Sequence, residues 1–591
     1  MKYVFDIETN GLLDTLTTIH CIVLINIETE ELLSFRPTEV DKAIKLLSEA
    51  KLICGHNIIN FDLPAIKKLN PGFETKAKIV DTMICSRLIW SDIKNTDFQN
   101  YQRYGFQSKM IGSHALKAWG LRLNLRKGDF GESNDWSTWS EDMQKYCERD
   151  VELNYKFYQI IEKKNYSQQA LDLEHDFAKV IELQQKHGFT FNREAANDLL
   201  RTLIKRRIDL EQELQDAFPP WDKQLEDFIP ARDNKTKGYT KGIPVQRHET
   251  VTFNPNSRQH IANRLIEKYE WKPKDFTNDG KPQVDETVLS KLEYKEAKIL
   301  SEYLLIQKRI SQLAEGNSAW LKLEKQGKLH GSVITNGAVT GRCTHRSPNI
   351  AQVPRVGSPY GEDCRALFIA DEGFKLCGID VASLELRALS HYLARYDNGE
   401  YAKIVNEGDI HTFNQKAANL PSRNLAKTMI YALIYGAGDA RMGEIIEGSS
   451  KEGKQLKEKL FKQIPALSKL TRDVRDKVAR TGVLKAIDGR LLNIRSSHSA
   501  LNFLIQSCGS IIVKQATINL HEVLFYKYKY GKDFAMVAHV HDEMQLQVRE
   551  DIAEDVGRLA VKAVKDTQKI FGLRCPLDAE YKIGSNWAET H

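Results

Sequence analysis

The sequence predicts a multidomain protein of mixed class, an α/β segment followed by a mostly helical one and then an α+β segment. Three observations carry this. The chain has 591 residues, more than one hydrophobic core usually supports. Residues 1–160 alternate strand-like and helix-like runs, as a sheet flanked by helices requires. Helical spacing then dominates from Gln168 to about Gly327, and strands and helices mix again from Leu329 to His591.

In the first segment, Lys2–Ile7, Thr18–Ile27 and Lys51–Cys54 read as strands, and Asp41–Ala50 and Ser140–Lys163 as helices. In the second, the helix Gln168–His187 stops at Gly188 and the helix Arg193–Phe218 stops at Pro219-Pro220. The stretch Ala231–Val245 is polar, rich in Gly and Lys, and without periodicity, so it reads as a loop. Helices resume after Asn254-Pro255-Asn256-Ser257, a capping sequence, and over Lys295–Ala314. In the third, the strand Lys375–Val381 leads into the helix Ser383–Arg395, and Gly436-Ala437-Gly438 halts the helix Arg423–Tyr435. Ala535–Val548 reads as two strands around His541-Asp542-Glu543.

Composition narrows the class only a little. Hydrophobic residues make up 41% and charged residues 28%, ordinary for a globular protein. No run approaches the roughly 18 apolar residues of a membrane span, and Asp6 and Glu8 interrupt any signal-peptide core, so a cytoplasmic location is expected. Nine scattered cysteines, with no CxxC pair, give neither a zinc site nor a disulfide framework. A net charge of +6 is compatible with a polyanionic partner without requiring one.

Two constellations carry chemistry. Asp6 and Glu8 are two apart on a strand and leave the same face. Asp62 stands at a helix start marked by Pro64, and Tyr146 and Asp150 share a helix face. Four carboxylates and a phenol can thus converge at one end of the sheet. Hard cations such as Mg²⁺ take oxygen ligands of this kind, and two such ions can drive phosphodiester hydrolysis.

In the second constellation Asp380 ends a strand and Asp542 sits at a hairpin tip. Arg423, Lys427, Tyr431 and Tyr435 recur every four residues and form one stripe along a helix. Nucleotidyl transfer needs carboxylates for two metals and cations along the phosphates. A lone acidic turn or a charged helix stripe is an everyday surface feature; their joint occurrence in this order is not.

The first set resembles the three exonuclease motifs of the DnaQ-like proofreading family. The resemblance implies Asp6, Glu8, Asp62 and Asp150 as metal ligands and Tyr146 as the residue that positions the attacking water. The second set resembles motifs A, B and C of family A DNA polymerases, the class of bacterial DNA polymerase I, and is similar above all to the replicative polymerases of T-seven-type short-tailed bacteriophages. Thr340-Gly341-Arg342, Gly408-Asp409-Ile410-His411-Thr412 and Gln506-Ser507 extend the match. By that resemblance Asp380 and Asp542, with the Val381 carbonyl, carry the catalytic metals. Arg423, Lys427 and His411 hold the triphosphate, with Lys427 as candidate general acid. Glu385 walls off the 2′ position, and Tyr431 faces the sugar. Arg342, Gln506 and His541 touch the primer–template end, and Tyr435 guards the templating base.

The implied fold is an RNase H-like 3′–5′ exonuclease domain followed by a right-hand polymerase. The exonuclease takes 1–163, the thumb 164–330 with a basic loop at about 222–252, the palm 331–400 and 501–591, and the fingers 401–500. The implied activity is primer-dependent DNA synthesis with proofreading, using two Mg²⁺ ions per site, with Mn²⁺ as a substitute. The implied partners are primer–template DNA, dNTPs and a phage helicase–primase, with the chain itself a monomeric catalytic subunit. In the T-seven-type enzymes a long basic insertion in the thumb binds thioredoxin; Asp222–Thr252 is much shorter, which argues against that dependence. Three rivals share part of the pattern: a single-subunit RNA polymerase, a bacterial-type repair polymerase and a non-catalytic DNA-binding relative. The first has no use for Glu385 or an exonuclease, the intact exonuclease set and the absence of a separate 5′-nuclease region argue for replication over the second, and the third would have lost carboxylates.

Overall fold

The computed structural model describes residues 1–125 and 135–591. The chain forms two compact units. One comprises Met1–Phe189, His330–Ser358 and Ile369–His591, and the other Thr190–Leu329 and Pro359–Phe368.

In the first unit, the strand Lys2–Thr9 pairs antiparallel with Ile19–Asn26 and parallel with Leu52–Gly55. Leu32–Phe35 and Lys78–Asp81 add outer strands, giving the mixed five-stranded sheet expected of an RNase H-like domain. Both faces are covered, so Ile19–Asn26 is buried throughout rather than alternating. Phe5 and Ile7 pack toward Ala43, Leu47 and Ile66. Val4 faces the other way, toward Cys147, Val151 and Tyr158 of the helix Glu141–Lys163. The two-residue period of the strand therefore aims Asp6 and Glu8 at that helix as well.

Farther along the chain, four antiparallel strands form a second sheet in the order Phe534–Val540, Glu543–Arg549, Phe374–Val381, Ala579–Gly584. The first two are joined by a tight turn at His541-Asp542, with His541 at φ 56°. The helix Ala500–Lys527 is buried nearly all round as far as Leu524, as a helix apolar on every face must be. Its Ile505 and Ile512 share one core with Leu386 and Leu389 after the strand Phe374–Val381, and with Met429 and Ile430 of the helix Arg423–Ile434. The helix Gln168–His187 also belongs to this unit, where Leu173, Phe177 and Ile181 enter the same core, although sequence alone groups it with the thumb.

The second unit is largely helical, with Arg193–Ala217 packed on Lys295–Ile310. Residues 222–252, expected to be a loop, instead form a β-hairpin, with Trp221–Phe228 paired to Val245–Val251. Both strands are exposed along most of their length, so no alternation of apolar residues announces them. Trp221 anchors the base of the hairpin under the Arg264 guanidinium, 4.1 Å from its ring, on the helix Arg258–Tyr269. Among the described residues no helix is long and apolar enough to cross a membrane. All nine cysteines are free.

Candidate active sites

Asp6, Glu8, Asp62, Tyr146 and Asp150 line a single pocket of about 210 Å³, together with His56, Asn57 and Trp136. Glu8, Asp62 and Asp150 are only 8, 3 and 2% exposed, so their charges are largely out of water. Asp62 Oδ1 is buried without a hydrogen-bond partner, and burial pushes the Asp62 carboxyl up to about 7. An acidic pocket of this composition suits a divalent cation with oxygen ligands. The Cys147 Sγ also comes within 4.8 Å of oxygens from Asp6 and Glu8. Burial holds that thiol well above its ordinary pKa, and it donates to the Asp6 carbonyl at 3.6 Å. It stays protonated, and a thiol is a poor ligand for a hard ion.

One positioning residue escaped the sequence. Asp81 is fully buried and accepts hydrogen bonds from the amides of Asn57 at 2.9 Å and Ile59 at 3.2 Å. It thereby fixes the turn that delivers Asp62. Its own amide donates to Nε2 of His175 at 2.8 Å, and His175 Nδ1 donates to the Leu171 carbonyl. Nothing in a four-residue strand ending in Asp distinguishes it from an ordinary helix cap, which Asp81 also is.

The second site centres on the palm sheet. Asp380 lies opposite Glu543 in the ladder, and the Val381 amide donates to the Asp542 carbonyl at 3.3 Å. The hairpin thus brings Asp542 next to Asp380. Desolvation in the cleft, and then the Asp542 and Glu543 charges, push the Asp380 carboxyl up to about 7. Asp542 is raised too, by desolvation first and by Glu385 next. Among the described residues no other side chain donates a hydrogen bond to the carboxylate of Asp380 or Asp542, so their oxygens remain free for a cation.

Glu385 accepts from Tyr435 Oη at 3.1 Å and from Arg342 Nη2 at 3.4 Å. Tyr431 lies near Glu385, Tyr435, Asp542 and Asp380; burial and those charges push its phenol up to about 12. The His411 ring stands 6.2 Å from that of Tyr431 and is buried, with Nδ1 unpartnered. Arg423 is half exposed and bonded to Asp409 at 2.6 Å, while Lys427 is exposed. Asp409 also caps the helix Ile410–Ala418 through the His411 and Thr412 amides, a role the sequence reading did not assign to it. His541 sits at the hairpin tip beside Arg342 and Glu385. Gln506 is half-buried on the helix Ala500–Lys527 and makes no hydrogen bond to the other residues of the set. The paired aspartates and the Tyr431–Tyr435–Glu385 group are therefore gathered.

Geometry of this kind belongs to enzymes that act on nucleotides. The model for DNA polymerase family A matches residues 227–589, and the chain belongs to that family, whose activity is DNA-directed DNA synthesis. It is 36% identical to the DNA-directed DNA polymerases of Escherichia phage T7 and Enterobacteria phage T3, over the whole of each chain. Identity to DNA polymerase I of Aquifex aeolicus (strain VF5) is 25%, over 98% of this chain and 95% of that one. The fold superposes, with a TM-score of 0.76 and 16% identity, on the POL domain of Pol1 from M. smegmatis in complex with DNA primer-template and dNTP, covering 99% of this chain and 96% of that one.

Proposed function

We propose that this chain is a phage replicative polymerase that extends a primer on a DNA template from dNTPs and edits its product with a 3′–5′ exonuclease. The observation that carries the editing half is the single pocket lined by Asp6, Glu8, Asp62, Tyr146 and Asp150 in a polymerase chain. Family A polymerases are divalent-metal dependent, and both sites fit Mg²⁺ by donor type. Asp6, Glu8, Asp62 and Asp150 would hold it in one, and Asp380, Asp542 and the Val381 carbonyl in the other. Bound there, such ions would lower the pKa of the attacking oxygen and neutralise the leaving one.

The chain's own residues do the rest. Arg423, Lys427 and His411 bind the triphosphate along one side of the fingers, and Lys427, exposed on its helix, gives a proton to the departing pyrophosphate. Glu385 closes the space beside the sugar 2′ carbon, and Tyr435 and Arg342 hold it in place. Tyr146 orients the water that attacks the terminal phosphodiester. The structural neighbour's complex with primer-template and dNTP supports the same ligands here. The short hairpin at Trp221–Val251 supports synthesis without thioredoxin.

A gel-based primer-extension assay with Asp542→Ala as control tests the synthetic half. Digestion of single-stranded 3′ ends by wild type and by an Asp6→Ala, Glu8→Ala double variant tests the other half. Undiminished digestion by the double variant refutes the editing site.

A further inference from the structure

The turn that carries Arg342 is held from several directions. The Gly341 amide donates to the Ala338 carbonyl at 2.8 Å, and the Ala338 amide to the Arg342 carbonyl at 3.2 Å. Gly341 sits at φ 81°, in the left-handed region that glycine enters without strain. Its carbonyl accepts from Ser510 Oγ at 2.9 Å. The Arg490 guanidinium packs directly on Gly341: a Cβ added at position 341 would come within 2.5 Å of Nη1. Beyond Arg342, the Cys343 thiol donates to the Thr335 carbonyl at 3.3 Å. Both chain neighbours of Arg342 are therefore fixed, and its side chain reaches Glu385 from a backbone with little slack.

Arg490 can act as a fixed surface because it is itself pinned. It is 2% exposed; its Nε donates to Asp488 Oδ2 at 2.8 Å and its Nη1 to Glu174 Oε1 at 2.7 Å. Lys514 Nζ donates to both Glu174 oxygens, at 2.7 and 2.9 Å, and lies over the Phe177 ring. These charges come from the helix Gln168–His187, from the segment between the strands Val483–Lys485 and Leu491–Asn493, and from the helix Ala500–Lys527. A buried ion cluster stabilises a core no better than apolar side chains of the same volume, because desolvation offsets most of the attraction. What it supplies is direction. A planar guanidinium held by two carboxylates cannot swing away from the backbone packed on it. Ser510 stands one turn before Lys514 on the same helix, so both contacts to Gly341 share one frame.

We propose that Arg490 is a positioning residue for Arg342. With Ser510 it clamps Gly341 and so sets the place from which Arg342 meets the primer end and bonds Glu385. Loosening the clamp lets the turn drift, and a primer end misplaced by a fraction of an ångström reacts more slowly. The proposal rests on the reading of Arg342 as a primer contact, and its test separates the two. Arg490→Lys keeps a cation beside Glu174 and Asp488 but removes the flat group over Gly341. Ser510→Ala removes one hydrogen bond and leaves the charge cluster whole. Each is made alone and together with Arg342→Ala. Primer extension then gives kcat and the KM for primer–template, with a melting curve for every variant.

The expected result is that each single variant lowers kcat/KM about five- to tenfold, chiefly through KM. On the Arg342→Ala background the same changes cost less than about twofold, since the residue they position is gone. Ser510→Ala touches no charge, so it decides the matter alone should Arg490→Lys fail to fold. Losses that multiply in full on the Arg342→Ala background overturn the proposal, because the clamp then acts on something other than Arg342. Wild-type kcat/KM in every folded single variant overturns it as well. An Arg342→Ala protein that extends as well as wild type overturns the primer-contact reading, and the clamp with it.

Discussion

The hydroxyl of Tyr435, the residue that ends the helix Arg423–Ile434, donates to a carboxylate oxygen of Glu385 at 3.1 Å, and Arg342 reaches the same oxygen at 3.4 Å. Glu385 is thereby held from the end of the helix Arg423–Ile434 and from Arg342 at once. If it gates the sugar, the two variants Glu385→Ala and Tyr435→Phe should relax selection in the same direction. Ribonucleotide incorporation, read as the ratio of kcat/KM for rNTP and dNTP, should rise strongly in the first. In the second it should rise by about tenfold or more, the value of one hydrogen bond to a carboxylate. An unchanged ratio in both would show that Glu385 does not set sugar choice.

Tyr431, half-buried beside Glu385, should let dideoxynucleotides enter readily, as family A members with Tyr at this position do. Tyr431→Phe should restore discrimination. Termination ladders with mixed dNTP and ddNTP read this directly; identical ladders from both proteins would remove the assignment.

Asp81 holds the turn before Asp62 without lining the acidic pocket. Asp81→Ala should lower digestion of single strands roughly tenfold or more, from the loss of buried hydrogen bonds, and leave primer extension intact. A melting curve taken alongside distinguishes this local loosening from global unfolding.

Glu174, Arg490, Asp488 and Lys514 form a buried charge network, with Glu174 accepting from Lys514 at 2.7 Å and from Arg490 at 2.7 Å. Burial alone would raise the Glu174 carboxyl, but Lys514 and Arg490 more than reverse this and hold it below the ordinary value of 4.5. Its stabilising contribution is therefore complete above pH 4.5 and is lost as pH falls through the lower folded value. Glu174→Gln should cost roughly 3–5 kcal/mol at neutral pH, because buried Lys514 loses its counter-ion and Arg490 keeps only Asp488. It should also flatten the acid limb of a stability–pH curve.

Asp380 carries charge in a cleft where desolvation, Asp542 and Glu543 all oppose it. Asp380→Asn should abolish extension and, without divalent ions, raise Tm by about 1–3 °C. Mg²⁺ should raise the Tm of the wild type more than that of the variant. Equal Mg²⁺ responses would mean that this carboxylate does not hold the ion.

Much of the site was legible because backbone periodicity dictates it. Two residues apart on a strand placed Asp6 and Glu8 together, four apart on a helix did the same for Tyr146 and Asp150, and Pro64 marked the start that carries Asp62. The hairpin tip at Asp542 followed from strand runs on either side of a polar turn. What escaped depends on tertiary placement. Asp81 looks like any helix cap until the Asn57 turn folds over it. The Glu174 network joins partners 316 and 340 positions apart, a separation no local pattern reports. The hairpin at Trp221–Val251 is polar on both faces, so its strands carry no alternation to read.

The hairpin Val483–Lys485, Leu491–Asn493 and the residues after it bear on how separable the N-terminal segment is. Ser167 donates to the Asp488 carbonyl, Asn493 to Ser91, and Arg495 to Asp92 at 2.6 Å, so this region is sewn to residues on both sides of the helix Glu141–Lys163 in sequence. Excising the first 163 residues as a cassette would strip Arg495 and Asn493 of their partners, so the acidic pocket is better silenced by point substitution than by amputation.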